Sequence, residues 1–282
     1  MIKIGFFGPK GTFSQEALKA YIKDSKDYTE YDYGTLSELI LAVQAGEIDE
    51  AIVPIENSLE GAINITMDMI AMDVDLLIKA EMVIPVRENL LVKKGTKLSD
   101  IKYILSHPSP IGQCRKYLNA NFPNAVVKCE YSTSGAAEEV AGGIGDSAAI
   151  GSIIAADVYG LEVADKDIHD NENNYTRFIV IGKQCGAKTG CDKTSIVFST
   201  EDKPGSLYRI LDIFNLWDIN MNRIESRPAK NQLGRYIFFV DISGHMEDEN
   251  IRDALTMVKR KTSFYKFLGS YPEYKCKMLE DN

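Results

Sequence analysis

Short apolar runs bordered by polar side chains constrain the fold of this chain more than any other feature. The clearest run is Phe178-Ile179-Val180-Ile181, which directly follows Asn174-Tyr175-Thr176-Arg177. A continuous apolar run of this kind is typical of a buried strand. In open α/β sheets, polar groups at strand ends gather around a small ligand. The sequence therefore predicts a ligand cleft at the mouth of this strand.

Other apolar runs and helical patterns predict two α/β lobes before residue 183. The predicted strands are residues 2–7, 51–55, 76–84, 88–93, 101–105, 126–130 and 148–151. The predicted helices are residues 15–21, 36–45, about 114–118 and a segment that ends near 141. The chain is predicted to cross between the lobes near residues 80 and 165. Lobe one then comprises about 1–79 and 165–183, and lobe two about 80–164.

The pattern changes after a polar, glycine-containing linker at residues 184–192, and residues 193–282 are predicted to form a separate domain. The predicted strands of this domain are residues 194–199, 221–226, 235–242 and 264–269, with a loop at 231–234. Its predicted helices are residues 206–217 and 247–259. The order βαββαβ predicts an antiparallel sheet with both helices on one face, which is a ferredoxin-like module.

The charge and the apolar runs exclude two classes of partner. The 282 residues carry a formal net charge of −9, whereas a nucleic-acid surface needs a basic face. No apolar run reaches the length of a membrane span. We therefore expect no nucleic-acid partner and no membrane partner. The chain begins directly on an apolar run without a signal peptide, which predicts a cytoplasmic protein.

The cysteines and histidines predict neither disulfides nor a metal site. The cysteines show no CxxC spacing, which predicts reduced thiols, and they are Cys114, Cys129, Cys185, Cys191 and Cys276. A disulfide or metal clip between Cys185 and Cys191 is the alternative. Cys114 is expected to be a small core residue and not a nucleophile. The histidines lie far apart, and neither a dinucleotide-binding nor a Walker loop is present, so we expect no metal and no cofactor.

A helix start follows the first predicted strand and carries two hydroxyl groups. These belong to Thr12 and Ser14. Free backbone N–H groups at a helix start favour an anion, so this turn is a candidate ligand contact. The alternative is that Thr12 or Ser14 is an ordinary N-cap residue.

A second polar cluster follows the strand predicted at residues 51–55. It offers a carboxylate, an amide and a hydroxyl, in Glu56, Asn57 and Ser58. These groups are expected to face the same cleft. The alternative is that Asn57 or Ser58 caps a helix that starts near Gly61.

Four motifs in this order resemble those of one enzyme family. They are residues 8–14 (GPKGTFS), 54–61 (PIENSLEG), 174–178 (NYTRF) and 225–228 (ESRP). Over essentially its whole length the chain is similar to the prephenate dehydratase family with a C-terminal ACT regulatory domain. The resemblance implies an α/β two-lobed catalytic domain like that of periplasmic binding proteins, followed by a βαββαβ ferredoxin-like ACT domain. It also implies a monofunctional enzyme, because no chorismate mutase segment precedes the first strand.

By this resemblance the reaction is the conversion of prephenate to phenylpyruvate, carbon dioxide and water, a step in L-phenylalanine biosynthesis. The implied catalytic residues are Thr176, Arg177 and Asn174. Thr176 would donate towards the departing ring hydroxyl, and Arg177 would hold a substrate carboxylate. The alternative for Arg177 is a structural ion pair. The implied substrate-binding residues are Thr12, Ser14, Asn57, Ser58, Glu56, Gln113 and Phe178.

The resemblance further implies feedback inhibition by L-phenylalanine bound between paired ACT domains. The implied effector-binding residues are Gly205, Ser206, Leu207, Tyr208, Glu225, Ser226, Arg227 and Pro228. A homo-oligomer, either a dimer or a tetramer, that pairs through these domains is expected. Two alternatives stay open: an arogenate dehydratase, for which Glu56 or Glu60 would matter to the substrate cation, and a non-catalytic two-lobed amino-acid sensor.

Overall fold

The computed structural model describes residues 1–23, 25–229 and 236–274. Its strands are β1 Ile2–Phe7, β2 Tyr28–Tyr33, β3 Glu50–Asn57, β4 Gly61–Ala62, β5 Leu77–Pro85, β6 Asn89–Val92, β7 Tyr103–Ser106, β8 Val126–Cys129, β9 Ser147–Gly151, β10 Glu162–Asp165, β11 Tyr175–Gly182, β12 Asp192–Ser199, β13 Met221–Pro228, β14 Tyr236–Ser243 and β15 Phe264–Pro272. Its α-helices are α1 Phe13–Ile22, α2 Leu36–Ala45, α3 Asn64–Asp68, α4 Pro108–Gln113, α5 Arg115–Asn121, α6 Thr133–Gly142, α7 Ile153–Tyr159, α8 Ser206–Leu216 and α9 Glu249–Lys261. A π-helical segment covers Met69–Asp73, and a 3-10 turn covers Leu98–Asp100. The predicted loop at 231–234, Arg235 and Cys276 lie outside the described residues.

The strands form three sheets. One has the order β2-β1-β3-β11-β5, with β4 paired to β3. The second has the order β10-β6-β9-β7-β8 and combines parallel with antiparallel pairs. The third has the order β13-β14-β12-β15, and its pairs are antiparallel. Two α/β sheets followed by a βαββαβ module confirm the predicted fold class.

The chain divides into two compact units. The first comprises Met1–Leu39, Ile52–Asn64 and Met82–Phe178. The second comprises Ile40–Ala51, Ile65–Glu81 and the described residues from Ile179 onward. The sheet β10-β6-β9-β7-β8 lies in the first unit, and the βαββαβ module lies in the second. The predicted boundaries at residues 1–183, 184–192 and 193–282 stay a prediction.

The apolar run of β6 is continuous because the sheet of β6 is covered on both faces. Leu90 and Val92 pack into one buried cluster with Ile104. Leu91, which points to the other face, packs into a second cluster with Leu105. Alternate side chains of a strand point to opposite faces, so only a sheet buried on both sides needs an uninterrupted apolar strand.

The βαββαβ module buries its core on one face of its sheet. Ile196 and Val240 of the sheet pack in one cluster with Phe214 of α8 and with Ile251 and Val258 of α9. The apolar positions of each helix recur at helical spacing, so each helix buries a single stripe. Both helices therefore cover the same face of the sheet, as the element order predicts.

One predicted helix start is wrong, and the helix α4 and the strand β2 were not predicted. Near Gly61 the chain forms β4, and α3 begins only at Asn64, because the side chain of Asn57 closes a turn ahead of it. The helix predicted at about residues 114–118 corresponds to α5, and the unpredicted helix α4 precedes it, beginning at Pro108 after the N-cap residue His107. Proline is well suited to the first turn of a helix. The strand β2 is an edge strand rich in polar residues, so it lacks an apolar run.

Candidate active site

A cavity of about 370 Å³ lies within the first unit and brings together much of the predicted site. Its volume falls in the ordinary range for a small-molecule site. Six of the predicted residues line it, and they are Thr12, Ser14, Asn57, Gln113, Asn174 and Thr176. Glu60, Glu88, His107, Ser109 and Ser132 also contribute to the wall. These residues come from sequence positions far apart, so the fold assembles this cavity from several strand ends and helix starts.

Alternation along β11 separates Thr176 from Arg177. Thr176 lines the cavity, whereas the Arg177 guanidinium has its Nη1 atom 3.7 Å from Oε2 of Glu56. Phe178 is 2% exposed and belongs to the core. None of Arg177, Glu56 and Phe178 lines the cavity. Neighbouring residues of a strand face opposite sides, so Thr176 and Arg177 cannot both enter one cavity from a regular strand.

The Asn57 side chain fixes the polar mouth of β11. Its Nδ2 atom donates to Oδ1 of Asn174 at 2.9 Å and to Oγ1 of Thr176 at 3.0 Å. Its Oδ1 atom accepts hydrogen bonds from the backbone N–H groups of Leu59 and Glu60, at 2.9 and 3.0 Å. Asn57 is thus held on both sides by the backbone turn and by β11. The amide can therefore orient the Thr176 hydroxyl with little freedom.

Ser58 occupies the back of the same turn and not the cavity wall. Its hydroxyl donates to the carbonyl of Asn173 at 2.9 Å and accepts from the N–H of Tyr175 at 2.9 Å. The N–H of Ser58 also donates to the carbonyl of Tyr175 at 2.9 Å. Ser58 therefore joins the turn after β3 to the start of β11.

A chain of hydrogen bonds extends this network to α4. Nδ2 of Asn174 donates to Oε1 of Gln113 at 2.8 Å. Nε2 of Gln113 donates to Oγ of Ser109 at 3.1 Å, and the Ser109 hydroxyl donates to the Glu60 carboxylate. Asn174 is 1% exposed, so its amide depends on these partners for its hydrogen bonds. Gln113 and Asn174 thereby position the polar side of the cavity.

The Thr176 hydroxyl keeps its proton available. Among the described residues it makes one hydrogen bond, which it accepts from Asn57. A hydroxyl can donate one proton while accepting others. The geometry therefore leaves Thr176 able to donate a hydrogen bond to a ligand in the cavity.

Two helix starts face the cavity. Thr12 and Ser14 belong to the start of α1, and Ser132 and Thr133 to the start of α6. Thr12 occupies the N-cap position, but its hydroxyl donates to the carbonyl of Phe7 at 3.0 Å, so capping by this side chain is wrong. The first N–H groups of a helix lack partners within the helix and favour negative charge. Ser132 already caps α6 by accepting from the N–H of Gly135 at 2.9 Å, whereas α1 has no side-chain cap, so α1 offers more of these groups to an anion than α6 does.

The loop before α1 is held in place by two serines. Oγ of Ser152 donates to the carbonyl of Gly11 at 2.8 Å, and the Ser134 hydroxyl donates to the carbonyl of Lys10. Gly11 has φ +84°, and a Cβ there would lie 3.0 Å from Cα of Ala155. Both the backbone conformation and the close approach require glycine. This loop therefore fixes the position of the first residues of α1 at the cavity wall.

Glu88 is a cavity residue that sequence reasoning missed. It directly precedes β6, is 1% exposed and lines the cavity. Its Oε2 atom has no hydrogen-bond partner among the described residues. Burial, with a smaller contribution from Glu16, raises the pKa of Glu88 from 4.5 to about 8. The sequence signal was a carboxylate next to the wholly apolar run Leu90-Leu91-Val92, but such residues usually face solvent.

The four predicted effector residues at the start of α8 line a separate cavity in the second unit. This cavity measures about 350 Å³, and it is lined by Gly205, Ser206, Leu207 and Tyr208 together with Tyr236 and Phe238. The Gly205 backbone has φ +78° at the N-cap position, a conformation that favours glycine. Glu225, Ser226, Arg227 and Pro228 do not line this cavity within one chain.

Alternation along β13 divides the second effector motif between two faces. Ser226 and Pro228 are exposed, whereas Glu225 and Arg227 are partly buried. Arg227 forms a two-pronged ion pair with Asp68, with Nε–Oδ1 and Nη2–Oδ2 distances of 2.9 and 3.1 Å. Paired hydrogen bonds of this kind fix orientation as well as charge. The motif therefore joins β13 to the end of α3.

The described residues contain neither a cluster of potential metal ligands nor a helix suited to span a membrane. Across residues 1–23, 25–229 and 236–274, no group of three potential metal ligands comes together, and no helix is long and apolar enough to cross a membrane. Cys114, Cys129, Cys185 and Cys191 are free thiols, so the alternative of a disulfide between Cys185 and Cys191 is wrong. Cys114 is buried, as expected for a core residue, and burial raises the pKa of its thiol.

Comparison with known proteins identifies the family. The sequence model of prephenate dehydratase matches residues 4–186, and that of the ACT domain matches residues 194–256. A bifunctional chorismate mutase/prephenate dehydratase of Aquifex aeolicus is 38% identical over 96% of this chain and 74% of its own length. A prephenate dehydratase of Mycobacterium tuberculosis (strain H37Rv) is 36% identical over 96% of this chain and 87% of its own length.

Solved structures agree with the sequence relatives in fold. A prephenate dehydratase of Arthrobacter aurescens in complex with L-Phe has a TM-score of 0.88 and 38% identity, over 96% of this chain and 90% of that chain. A protein named GqqA, described as a novel type of quorum quenching acylase, has a TM-score of 0.86 and 27% identity, over 96% of this chain and 98% of that chain. The family match and the relatives together show that the chain belongs to the prephenate dehydratase family.

Proposed function

We propose that this chain is a prephenate dehydratase, a carbon-oxygen lyase that forms phenylpyruvate. One observation carries the proposal: the Thr176 hydroxyl is oriented by Asn57, with its proton available, in a cavity faced by two helix starts. The substrate carries two carboxylates and a ring hydroxyl. The two helix starts suit the carboxylates, and the Thr176 hydroxyl suits the oxygen that leaves.

The chemistry requires little from the protein besides position and a proton. The bond from the ring to its carboxylate breaks and releases carbon dioxide, and its electron pair moves through the ring towards the carbon that carries the hydroxyl. The bond from that carbon to the hydroxyl oxygen breaks as it receives this electron pair, the ring becomes aromatic, and the oxygen takes a proton to leave as water. Aromatisation drives the reaction. A preorganised hydrogen-bond donor at the developing negative charge lowers the barrier, because the donor needs no reorientation during the step.

Recognition of the dianion is proposed to rely on backbone N–H groups. Among the described residues that line the cavity, none is lysine or arginine. The starts of α1 and α6 are therefore the local source of positive potential. The ion pair of Arg177 with Glu56 favours the bracing role for Arg177, in which it holds β11 against β3. A role of Arg177 in holding a carboxylate stays a prediction.

Arogenate is the closer alternative substrate, because it differs from prephenate by an ammonium group in place of a keto group. Glu60 lines the cavity and offers a carboxylate to such a cation, whereas Glu56 does not line it. The Glu60 carboxylate is already engaged by Ser109 and Gln113, which favours prephenate. The similarity to a quorum quenching acylase suggests a second activity to assay. A purely sensing role remains the alternative without chemistry.

Regulation is proposed to follow the ACT domain. L-Phenylalanine is present in the Arthrobacter aurescens relative. We infer that it binds between two paired ACT domains, where the cavity of one copy at Gly205–Tyr208 meets the exposed Ser226 and Pro228 of the other. Pairing would explain why one chain brings only half of the predicted effector residues to its cavity. The bound effector would bias the enzyme towards a less active arrangement.

Assembly and location complete the proposal. A homodimer or homotetramer that pairs through ACT domains is proposed, because the effector site needs two copies. A cytoplasmic location is proposed from the biosynthetic reaction. Light scattering of the purified chain, with and without L-phenylalanine, measures the assembly directly. Absence of chorismate conversion by the purified chain would support a monofunctional enzyme.

The test is formation of phenylpyruvate by the purified chain. Prephenate and arogenate are supplied separately, each with and without L-phenylalanine, and an N-acyl amide, the substrate class of an acylase, is supplied in a parallel assay. Turnover of prephenate that L-phenylalanine suppresses is the expected result. Tight binding of L-phenylalanine without turnover of any substrate would instead indicate a sensor. Hydrolysis of the acyl amide bond, without turnover of prephenate or arogenate, would make the chain an acylase.

A further inference from the structure

Glu88 is a buried carboxyl group that the proposed mechanism has not yet used. It is 1% exposed, yet it lines the candidate active-site cavity. Its Oε2 atom has no hydrogen-bond partner among the described residues. An ionised carboxylate buried without a partner is costly, so such a group keeps its proton. The cavity wall thus contains a neutral carboxylic acid.

The groups around Glu88 keep it neutral. The Glu16 carboxylate of α1 and the Cys114 thiol at the end of α4 interact with it. Arg87 turns away, because its Nη1 atom lies 3.1 Å from Nε2 of His169 and its Nε atom 3.9 Å from Oδ1 of Asp167. Burial first, and then Glu16, raise the pKa of Glu88 from 4.5 to about 8.

The other titratable residues of the cavity wall add no cation that is fixed beside Glu88. They are Glu60, His107 and Tyr131. Glu60 is engaged by Ser109, and Nδ1 of His107 accepts from the N–H of Ser109 at 3.3 Å. A bound dicarboxylate would bring more negative charge and favour the protonated form of Glu88 further.

The backbone around Glu88 is held firmly. The carbonyl of Glu88 accepts from the N–H of Ile168 at 2.9 Å. The next residue, Asn89, is 1% exposed, and its side chain donates to the carbonyls of Arg87 and Gly151 at 2.9 and 3.2 Å. The backbone that carries the Glu88 side chain is therefore fixed beside the cavity. Preorganisation of this kind is what a proton donor requires.

We propose that Glu88 is a further catalytic residue, the acid that gives its proton to the departing ring hydroxyl while Thr176 orients that oxygen. This role rests on the proposed function. In the step, the carbon–oxygen bond breaks, the leaving oxygen takes the proton of Glu88, and water departs. The Glu88 carboxylate then takes a proton from solvent. The balance is complete, since a dianionic substrate plus one proton gives a monoanionic product, carbon dioxide and water.

The experiment compares Glu88→Gln with Glu88→Asp and with the matched control Glu138→Gln, an exposed glutamate of α6. Values of kcat and KM for prephenate are measured between pH 5.5 and 10. The wild type should lose kcat as pH rises through about 8 or somewhat above, because the acid must be protonated. Glu88→Gln should lose about 10²- to 10⁴-fold in kcat, with a small change in KM, and should lack this alkaline decline.

The remaining variants separate chemistry from structure. Glu88→Asp should keep the alkaline decline and part of kcat, and Glu138→Gln should behave as the wild type. The role of Glu88 would be overturned if Glu88→Gln kept kcat within about threefold of the wild type. It would also be overturned if the variant lost kcat but retained the alkaline decline. A rise in KM alone would overturn it in favour of a binding role. If the wild type turns over no prephenate, the proposed function fails and this role with it.

Discussion

Replacing Glu88 by glutamine should change how the stability of the protein depends on pH, whatever Glu88 does in catalysis. The carboxyl is 1% exposed and keeps its proton until pH is about 8, compared with 4.5 for an ordinary glutamate. Between these values the unfolded chain has released this proton and the folded chain has not. The unfolded state therefore binds fewer protons, so stability falls as pH rises through this window.

The magnitude follows from the difference between the two pKa values. Each unit is worth about 1.4 kcal/mol, so a shift from 4.5 to about 8 amounts to about 5 kcal/mol across the window. Below pH 4.5 Glu88 is protonated in the folded and the unfolded chain, so its contribution to the pH dependence of stability vanishes. Above about pH 8 both states are ionised, and the loss is complete. Glutamine does not titrate, so Glu88→Gln should lose none of this stability.

The assay is urea unfolding of the wild type, Glu88→Gln and the exposed control Glu138→Gln at pH 5, 7 and 9. The difference in unfolding free energy between Glu88→Gln and the wild type should rise in favour of the variant from pH 5 to pH 9, by several kcal/mol. Glu138→Gln should follow the wild type at each pH. Parallel profiles for Glu88→Gln and the wild type would refute the reasoning, because they would show that Glu88 ionises in the folded state as easily as in the unfolded one.

Three further changes test other contacts. Asn57→Ala removes the hydrogen-bond donor to Thr176 and leaves the buried side-chain carbonyl of Asn174 unsatisfied. Urea unfolding should therefore show a free energy of unfolding lower by about 1–3 kcal/mol, and steady-state kinetics should show kcat lower by about tenfold or more. Arg227→Lys cannot make the two-pronged ion pair with Asp68. Half inhibition should then require a higher concentration of L-phenylalanine. An unchanged inhibition curve would contradict a link between this ion pair and the effector. Gly11→Ala strains a backbone at φ +84° and brings the new methyl group too close to its neighbours. Thermal unfolding should show a free energy of unfolding lower by about 1–3 kcal/mol. An unchanged melting temperature would contradict the need for glycine.

The sequence predicted the strands of this fold well where both faces of a sheet are buried. β1, β3, β6 and β11 are apolar runs, so periodicity and length alone mark them. The edge strand β2 has the sequence YTEYDY and carries no such run, because one of its sides faces solvent. The βαββαβ order was also readable, since each helix shows one apolar stripe between two strands.

The motifs of the candidate site could be predicted from the sequence, but the directions in which their side chains point could not. Thr12, Asn57 and Thr176 reach one cavity, as expected for polar groups at strand ends and helix starts. Arg177 does not, and its position next to Thr176 on a strand could have shown this beforehand. Glu88 was missed because a carboxylate beside an apolar run usually faces solvent, and its burial is visible only in the folded structure.

The measurement that tests the central claim most directly is phenylpyruvate formation by Thr176→Val and Thr176→Ser, with prephenate binding measured by calorimetry. Valine keeps the shape of threonine and removes the hydroxyl, whereas serine keeps the hydroxyl. We predict that Thr176→Val binds prephenate nearly as well as the wild type but loses about 10²- to 10⁴-fold in kcat, and that Thr176→Ser retains much of kcat. A Thr176→Val protein with kcat within about threefold of the wild type would contradict the account, because the oriented hydroxyl would then not act on the leaving oxygen.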